Sequence, residues 1–202
     1  MKGRYCDLEA LDIAAHSESL YEAFTKDDSN WTYLFVEPFQ NLSDFKVWLE
    51  NSCLGSDPLF HSIIDKSTGK AVGMASLMRI DQKMGVIEVG NIHFSALIQK
   101  RPIATEAMFL MMKRVFDELG YRRYEWKCDS LNVPSRKAAE RFGFSFEGVF
   151  RQAVIYKDRN RDTAWFSIID TEWPALKTMF EAWLSPQNFD GTGQQIKRLN
   201  HF

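Results

Sequence analysis

The chain has 202 residues, 45% of them hydrophobic, with 16 Phe and 6 Trp, enough for one well-filled domain and too few residues for two ordinary ones. Its 25 basic and 27 acidic side chains give a net charge of −2, which argues against nucleic acid or an anionic membrane as a general partner. No apolar run approaches the roughly 20 residues that span a bilayer, and the charged start MKGRYCDLEALD is unlike a secretory signal.

Cys6, Cys53 and Cys128 are odd in number and widely spaced, without a CxxC pair, so neither a disulfide framework nor a metal site is expected. That usage suits a reducing, cytoplasmic setting. The spacing of Leu20, Ala23 and Phe24 predicts a first helix near 16–25. A second follows near 43–51, with Phe45, Trp48 and Leu49 on one face and Asn41 placed to cap it. FHSIIDKSTGKAVGMASLMRI then reads as two strands around the turn Ser67–Gly69, and VIEVGNIHFSAL as a third, with Gly90 marking a bulge or a close approach.

The clearest helix is predicted over 105–119, where Met108, Met112, Val115, Phe116 and Leu119 form a stripe that Gly120 ends. RRYEWKCD alternates strictly, with Tyr124, Trp126 and Cys128 on one face and Arg123, Glu125, Lys127 and Asp129 on the other. A short helix over 133–142, a hairpin around 158–161 and a helix over 172–184 complete the order α-α-β-β-β-α-β-α-β-β-α. The expected class is α/β (α+β), with residues 1–184 as one domain and 185–202 as a polar, mobile tail.

The strand–loop–helix VIEVGNIHFSALIQKRPIATEA presents free N–H groups at a helix start beside Lys100 and Arg101, a setting suited to phosphate. An ordinary β–α junction with two solvated cations would look the same. QKRPIATEA, then Asn132 and Ser135 in NVPSRKAAERFGFSFEG, then NRDTAWFSIID, in this order, resemble the GNAT acetyltransferases. They are most similar to the branch containing the RimJ and RimL protein N-terminal acetyltransferases. The resemblance spans about residues 3–174.

It implies a mixed sheet of six to seven strands with a splayed parallel pair and flanking helices. It also implies acetyl-CoA as cosubstrate, no metal, and an amine acceptor that is a small molecule, a peptide or a protein N-terminus. A monomer or homodimer is expected. Gln99 and Ala104 match the first and last positions of the family's phosphate loop, while Pro102 stands at its middle glycine and removes one N–H donor. The loop's Lys100, Arg101, Ile103, Ala104 and Thr105 are then implied coenzyme ligands, and Phe94 and Ser95 border the pantetheine arm. Asn132 is implied as a further arm ligand, though a plain helix N-cap would use the same residue.

Ala139 occupies the place of the Tyr used by many relatives, and the resemblance to the RimL-like branch, whose Asn-x-x-Ser serine takes that role, implies Ser135 as the proton donor to the leaving thiolate. An ordinary first-turn serine is the other reading. Glu88 and His93 are the candidate bases, each equally readable as a structural strand residue. Trp31, Tyr33, Arg151 and Tyr156 are the candidate acceptor wall. Left open are an acetyltransferase for a protein N-terminus, peptide or small amine, a detoxifying enzyme for a toxic aminoacyl compound, and a non-catalytic acetyl-CoA-binding domain.

Overall fold

The computed structural model describes residues 1–202. Its strands are β1 Cys6–Ala10, β2 Leu59–Asp65, β3 Lys70–Asp81, β4 Val86–Phe94, β5 Arg123–Asp129, β6 Ser145–Tyr156 and β7 Arg159–Ile169. They form one sheet in the order β1-β2-β3-β4-β5-β7-β6. Only β4 and β5 are parallel neighbours; the other pairs are antiparallel. A parallel pair needs a crossover, and α3 (Pro102–Lys113) with a π-helical turn at Arg114–Glu118 provides it. The remaining helices are α1 Ile13–Phe24, α2 Leu42–Ser52, α4 Val133–Arg141 and α5 Trp173–Trp183. None is long and apolar enough to cross a membrane.

The hairpins and the five helices fall where the periodicity puts them, and Asn41 caps α2 by accepting the N–H of Asp44. One strand escapes the periodicity. β1, in the charged stretch CDLEA, is a sheet edge that pairs with β2. It is fixed from a distant part of the chain: the buried Glu106 carboxylate on α3 accepts the N–H groups of Arg4, Tyr5 and Cys6 at 2.7, 2.6 and 2.8 Å. No local pattern foretells that tie.

Two cores flank the sheet. The larger lies under α3, α4 and α5, and the smaller joins α1 and α2 to the opposite face through Leu20, Phe24, Phe45, Leu49 and Met74. α3 is buried from Ile103 to Met112 rather than along one stripe. Helix α5 covers its outer side, with Phe109 against Phe180 at 5.5 Å between ring centroids. Leu119, expected on the apolar stripe, is instead exposed. The π turn adds a residue per turn and carries Leu119 off the buried face.

The segment after α5 is not a free tail. Leu199 is fully buried in the larger core. Asn188 holds the return, donating to the carbonyls of Trp183 and Lys197 and accepting the N–H of Lys197 at 2.9 Å. Its polar composition hid a packed segment, because two buried side chains suffice to dock it.

Candidate active site

The sheet opens in its middle. β4 and β5 pair from Val86↔Arg123 to Val89↔Trp126 and then stop. Yet β4 stays paired with β3 out to Phe94, and β5 with β7 out to Asp129. Beyond Gly90 and Lys127 the two strands therefore face each other with unpaired backbone. A register shift between Met74 and Ser76 on β3, with Asn91 at φ 50°, bends β4 away at the point of parting. The opening leads into a cavity of about 1560 Å³.

One end of the cavity lies at the start of α3. Arg101 is its N-cap residue but gives no side-chain cap, and Pro102 fills the first turn without needing a donor. The N–H groups of Arg101 and Ala104 are taken by the carbonyls of Ile98 and Arg101, both at 3.2 Å. That departs from the expectation that both N–H groups are free for phosphate: the turn before the helix takes one and the N-cap carbonyl takes the other. Lys100 adopts φ 60° at the tip of this turn. Gln99 acts as a clamp, its amide donating to Asn30 Oδ1 at 2.7 Å and to the Phe94 carbonyl at 2.9 Å.

Lys100, Arg101, Ala104 and Thr105 line the cavity, as does Phe94. Ile103 is expected to offer its backbone N–H, and its side chain packs in the larger core. Ser95 is buried and donates to the Val72 carbonyl at 2.6 Å. The sequence reading missed Arg141, on α4, which donates to Thr105 Oγ1 at 3.0 Å and lies 5.1 Å over the Trp183 ring. Lys137, one turn earlier on the same helix, and Arg198, in the docked C-terminal segment, add exposed cations at this end. Only the Lys137–Arg141 spacing of four was visible in the sequence.

Asn132 and Ser135 meet at the start of α4. Asn132 caps the helix, its Oδ1 accepting the Ser135 N–H at 3.1 Å, while its NH₂ donors stay unspent. Ser135 Oγ accepts the indole N–H of Trp126 at 3.0 Å. An oxygen that accepts from an indole keeps its own proton to donate, and Ser135 lines the cavity.

Glu88 is buried on β4 and faces the cavity. Arg79 Nη1 donates to both its oxygens at 2.8 and 2.7 Å, and Lys127 Nζ to Oε2 at 2.7 Å. Lys127 also bonds Glu125 at 2.7 Å and lies 3.8 Å over the Trp165 ring. Arg123 extends the ladder from Glu125 to Glu147, whose carboxyl it holds down to about 2. The polar face of the alternating strand β5 thus becomes a row of alternating charges.

His93 is a different case. Its ring stacks on Phe24 at 3.6 Å and meets Trp31 edge-on at 4.4 Å, and neither ring nitrogen has a partner. Burial pushes its pKa down to about 3, which leaves a neutral and weakly basic imidazole. His93 nonetheless lines the cavity beside Ile92 and Phe94.

The acceptor wall is also rearranged. Trp31 sits in the smaller core rather than at the cavity, and Arg151 lies in a separate shallow depression with Gln152 and Asp162. Tyr33 lines the cavity and donates to the Leu131 carbonyl at 3.0 Å. Tyr156 is buried behind the wall and donates to Asp129 at 2.8 Å. Burial and the Asp129 carboxylate push its pKa up to about 12. Burial alone would raise the Asp129 carboxyl; the Leu131 N–H, Tyr156 and Arg159 outweigh it and hold it below its usual range. The residues that face the cavity here are Phe35, Phe150, Trp165 and Arg161.

The family described as the acetyltransferase (GNAT) domain matches residues 8–145, and the chain belongs to it. The fold is that of N-acetyltransferases: the crystal structure of a GCN5-related N-acetyltransferase from Brucella melitensis is 52% identical, covering 99% of this chain and 91% of that one, with a TM-score of 0.97. An uncharacterized N-acetyltransferase, p20 of Bacillus licheniformis, is 28% identical over 177 residues, 84% of this chain and 93% of p20. YdaF of Bacillus subtilis, provisionally named a ribosomal N-acetyltransferase, is 28% identical over 109 residues, 54% of this chain and 59% of YdaF.

Proposed function

We propose that the chain transfers the acetyl group of acetyl-CoA to a primary amine by direct attack on the thioester, within the RimJ/RimL-like branch of its family. The observation that carries this reading is the open half of the β4–β5 pair, which runs from the start of α3 to the Ser135 hydroxyl. Unpaired strand edges accept an extended arm as an added strand. At one end, Lys100, Arg101 and Arg141 supply positive charge beside the α3 N-terminus for the coenzyme phosphates. The NH₂ group of Asn132 is free to bond the arm.

At the reacting end the amine lone pair attacks the acetyl carbon and the carbon–sulfur bond breaks. Ser135 gives its proton to the departing sulfur and regains one, through cavity water, from the nitrogen that becomes the amide. A backbone N–H of the 92–94 edge holds the developing oxyanion. Glu88 takes the ammonium proton through water, because Arg79 and Lys127 already occupy its oxygens at hydrogen-bond distance. Tyr33, Phe35 and Trp165 give the acceptor an apolar wall, suited to a small amine or a peptide N-terminus and not to nucleic acid or membrane. The three cysteines are free and buried, as suits a cytoplasmic protein.

The test is release of free coenzyme A from acetyl-CoA against a panel of amines and peptides. The expected result is release that depends on the amine. Binding of acetyl-CoA with no amine turned over would leave a binding domain and overturn the reading.

A further inference from the structure

The cavity's cations are not equivalent. Arg79 and Lys127 are spent on Glu88, and Arg141 bonds Thr105. Lys100, Arg101, Lys137 and Arg198 are exposed at the α3 end. Outside the cavity wall, Arg159 is paired with Asp129 and Lys157 with Glu37. Arg161 stands apart. It is only 8% exposed, lines the cavity at the end away from α3, and makes no ion pair. Its one hydrogen bond runs from Nε to Thr163 Oγ1 at 3.2 Å, so both Nη groups keep their donors.

The guanidinium is held in place by its surroundings. It lies 5.4 Å from the Phe35 ring and 5.8 Å from the Tyr156 ring. The buried carboxylate on the neighbouring strand, Asp129, opposite Thr163, is already committed to Leu131, Tyr156 and Arg159. A buried guanidinium with a free two-pronged face matches a carboxylate better than any other common group. Cys128, near the end of β5, lines the same cavity. Arg161 thus shares one cavity with Ser135, where the amine reacts.

We infer that the acceptor is a carboxylate-bearing amine of amino-acid type, its carboxylate held by Arg161 and its side chain against Phe35, Phe150 and Trp165. The inference rests on the acetyltransferase reading above and adds the substrate class. The chemistry is unchanged: a carbon–nitrogen bond forms, the carbon–sulfur bond breaks, and the carboxylate takes no part beyond binding.

The experiment compares matched pairs, phenylalanine with phenethylamine and tryptophan with tryptamine, in the wild type, Arg161→Gln and Arg161→Lys. The wild type should favour the carboxylate member by roughly 10- to 100-fold in kcat/KM. Arg161→Gln should bring that ratio to near one, and Arg161→Lys, which keeps the charge without the fork, should fall between. A wild type that prefers the decarboxylated amines overturns the inference whatever the variants do. So does an unchanged ratio in folded Arg161→Gln, or in Arg161→Lys should the Gln variant not fold. If decarboxylated amines turn over and carboxylated ones do not, the acetyltransferase reading stands and this inference fails. If no amine of any kind is acetylated, both fail together.

Discussion

The two halves of the β4–β5 seam are built from the same two strands and behave as opposites. From Val86 to Val89 the strands are hydrogen-bonded neighbours, and Glu88 and Lys127 tie them again across the open face at 2.7 Å. From Gly90 onward the same strands part, each still held by its outer neighbour. The closed half is a stiff hinge of backbone pairing and charge. The open half is a slot whose unsatisfied N–H and C=O groups ask for a strand-like guest. A site can thus be made by withholding pairing from a sheet rather than by adding a loop to it.

The largest effect expected at the boundary comes from Lys127→Met. It leaves Glu88 and Glu125, both buried, without their shared cation, and should cost about 3 kcal/mol of stability in urea unfolding. Adding Glu88→Gln should restore part of that loss. Full additivity of the two changes would break the picture of a stitched hinge.

In the open half, Ser135→Ala should lower kcat by about 10- to 10³-fold while acetyl-CoA affinity changes little. An equal loss of affinity would instead make Ser135 a structural partner of Trp126.

Glu88→Gln comes next. It should lower kcat/KM by roughly tenfold, with partial recovery on an amine that is neutral at the assay pH. An unchanged kcat/KM would confine Glu88 to the hinge.

The smallest effect belongs to His93. Its pKa falls from 6.5 to about 3 on folding, so between those values the unfolded chain binds a proton that the folded chain does not. Its contribution to stability is therefore complete above 6.5 and is lost as the pH falls toward 3. His93→Phe should reduce the loss of stability between pH 6.5 and about 5.5 by about 1 kcal/mol. His61, also depressed by burial, is common to both proteins and cancels in the difference. An identical pH slope would contradict a buried, neutral His93.

The closed half was far easier to read in the sequence than the open one. The strict alternation of Tyr124, Trp126 and Cys128 against Arg123, Glu125 and Lys127 places β5 and both its faces, and the helix after Pro102 announces the crossover. Those are local signals, set by period and by turn residues. The resemblance to GNAT acetyltransferases supplied the splay, which no periodicity contains. Hidden from the sequence were features made by distant chain segments meeting. Glu106 ties β1 across about a hundred residues, Leu199 docks the tail, and Arg141 reaches Thr105 from another helix. Arg161 looked like part of a polar turn; it lies on β7, buried under Phe35. Trp31 failed as a wall residue for the converse reason: an aromatic in an irregular segment packed inward on His93 and Phe24.

The most direct measurement is amide hydrogen exchange with and without acetyl-CoA. If the open half is the coenzyme seat, ligand should slow exchange in residues 90–94 and 101–105 and leave residues 86–89 as they were. Protection that appears elsewhere, or none at millimolar acetyl-CoA, would contradict the account.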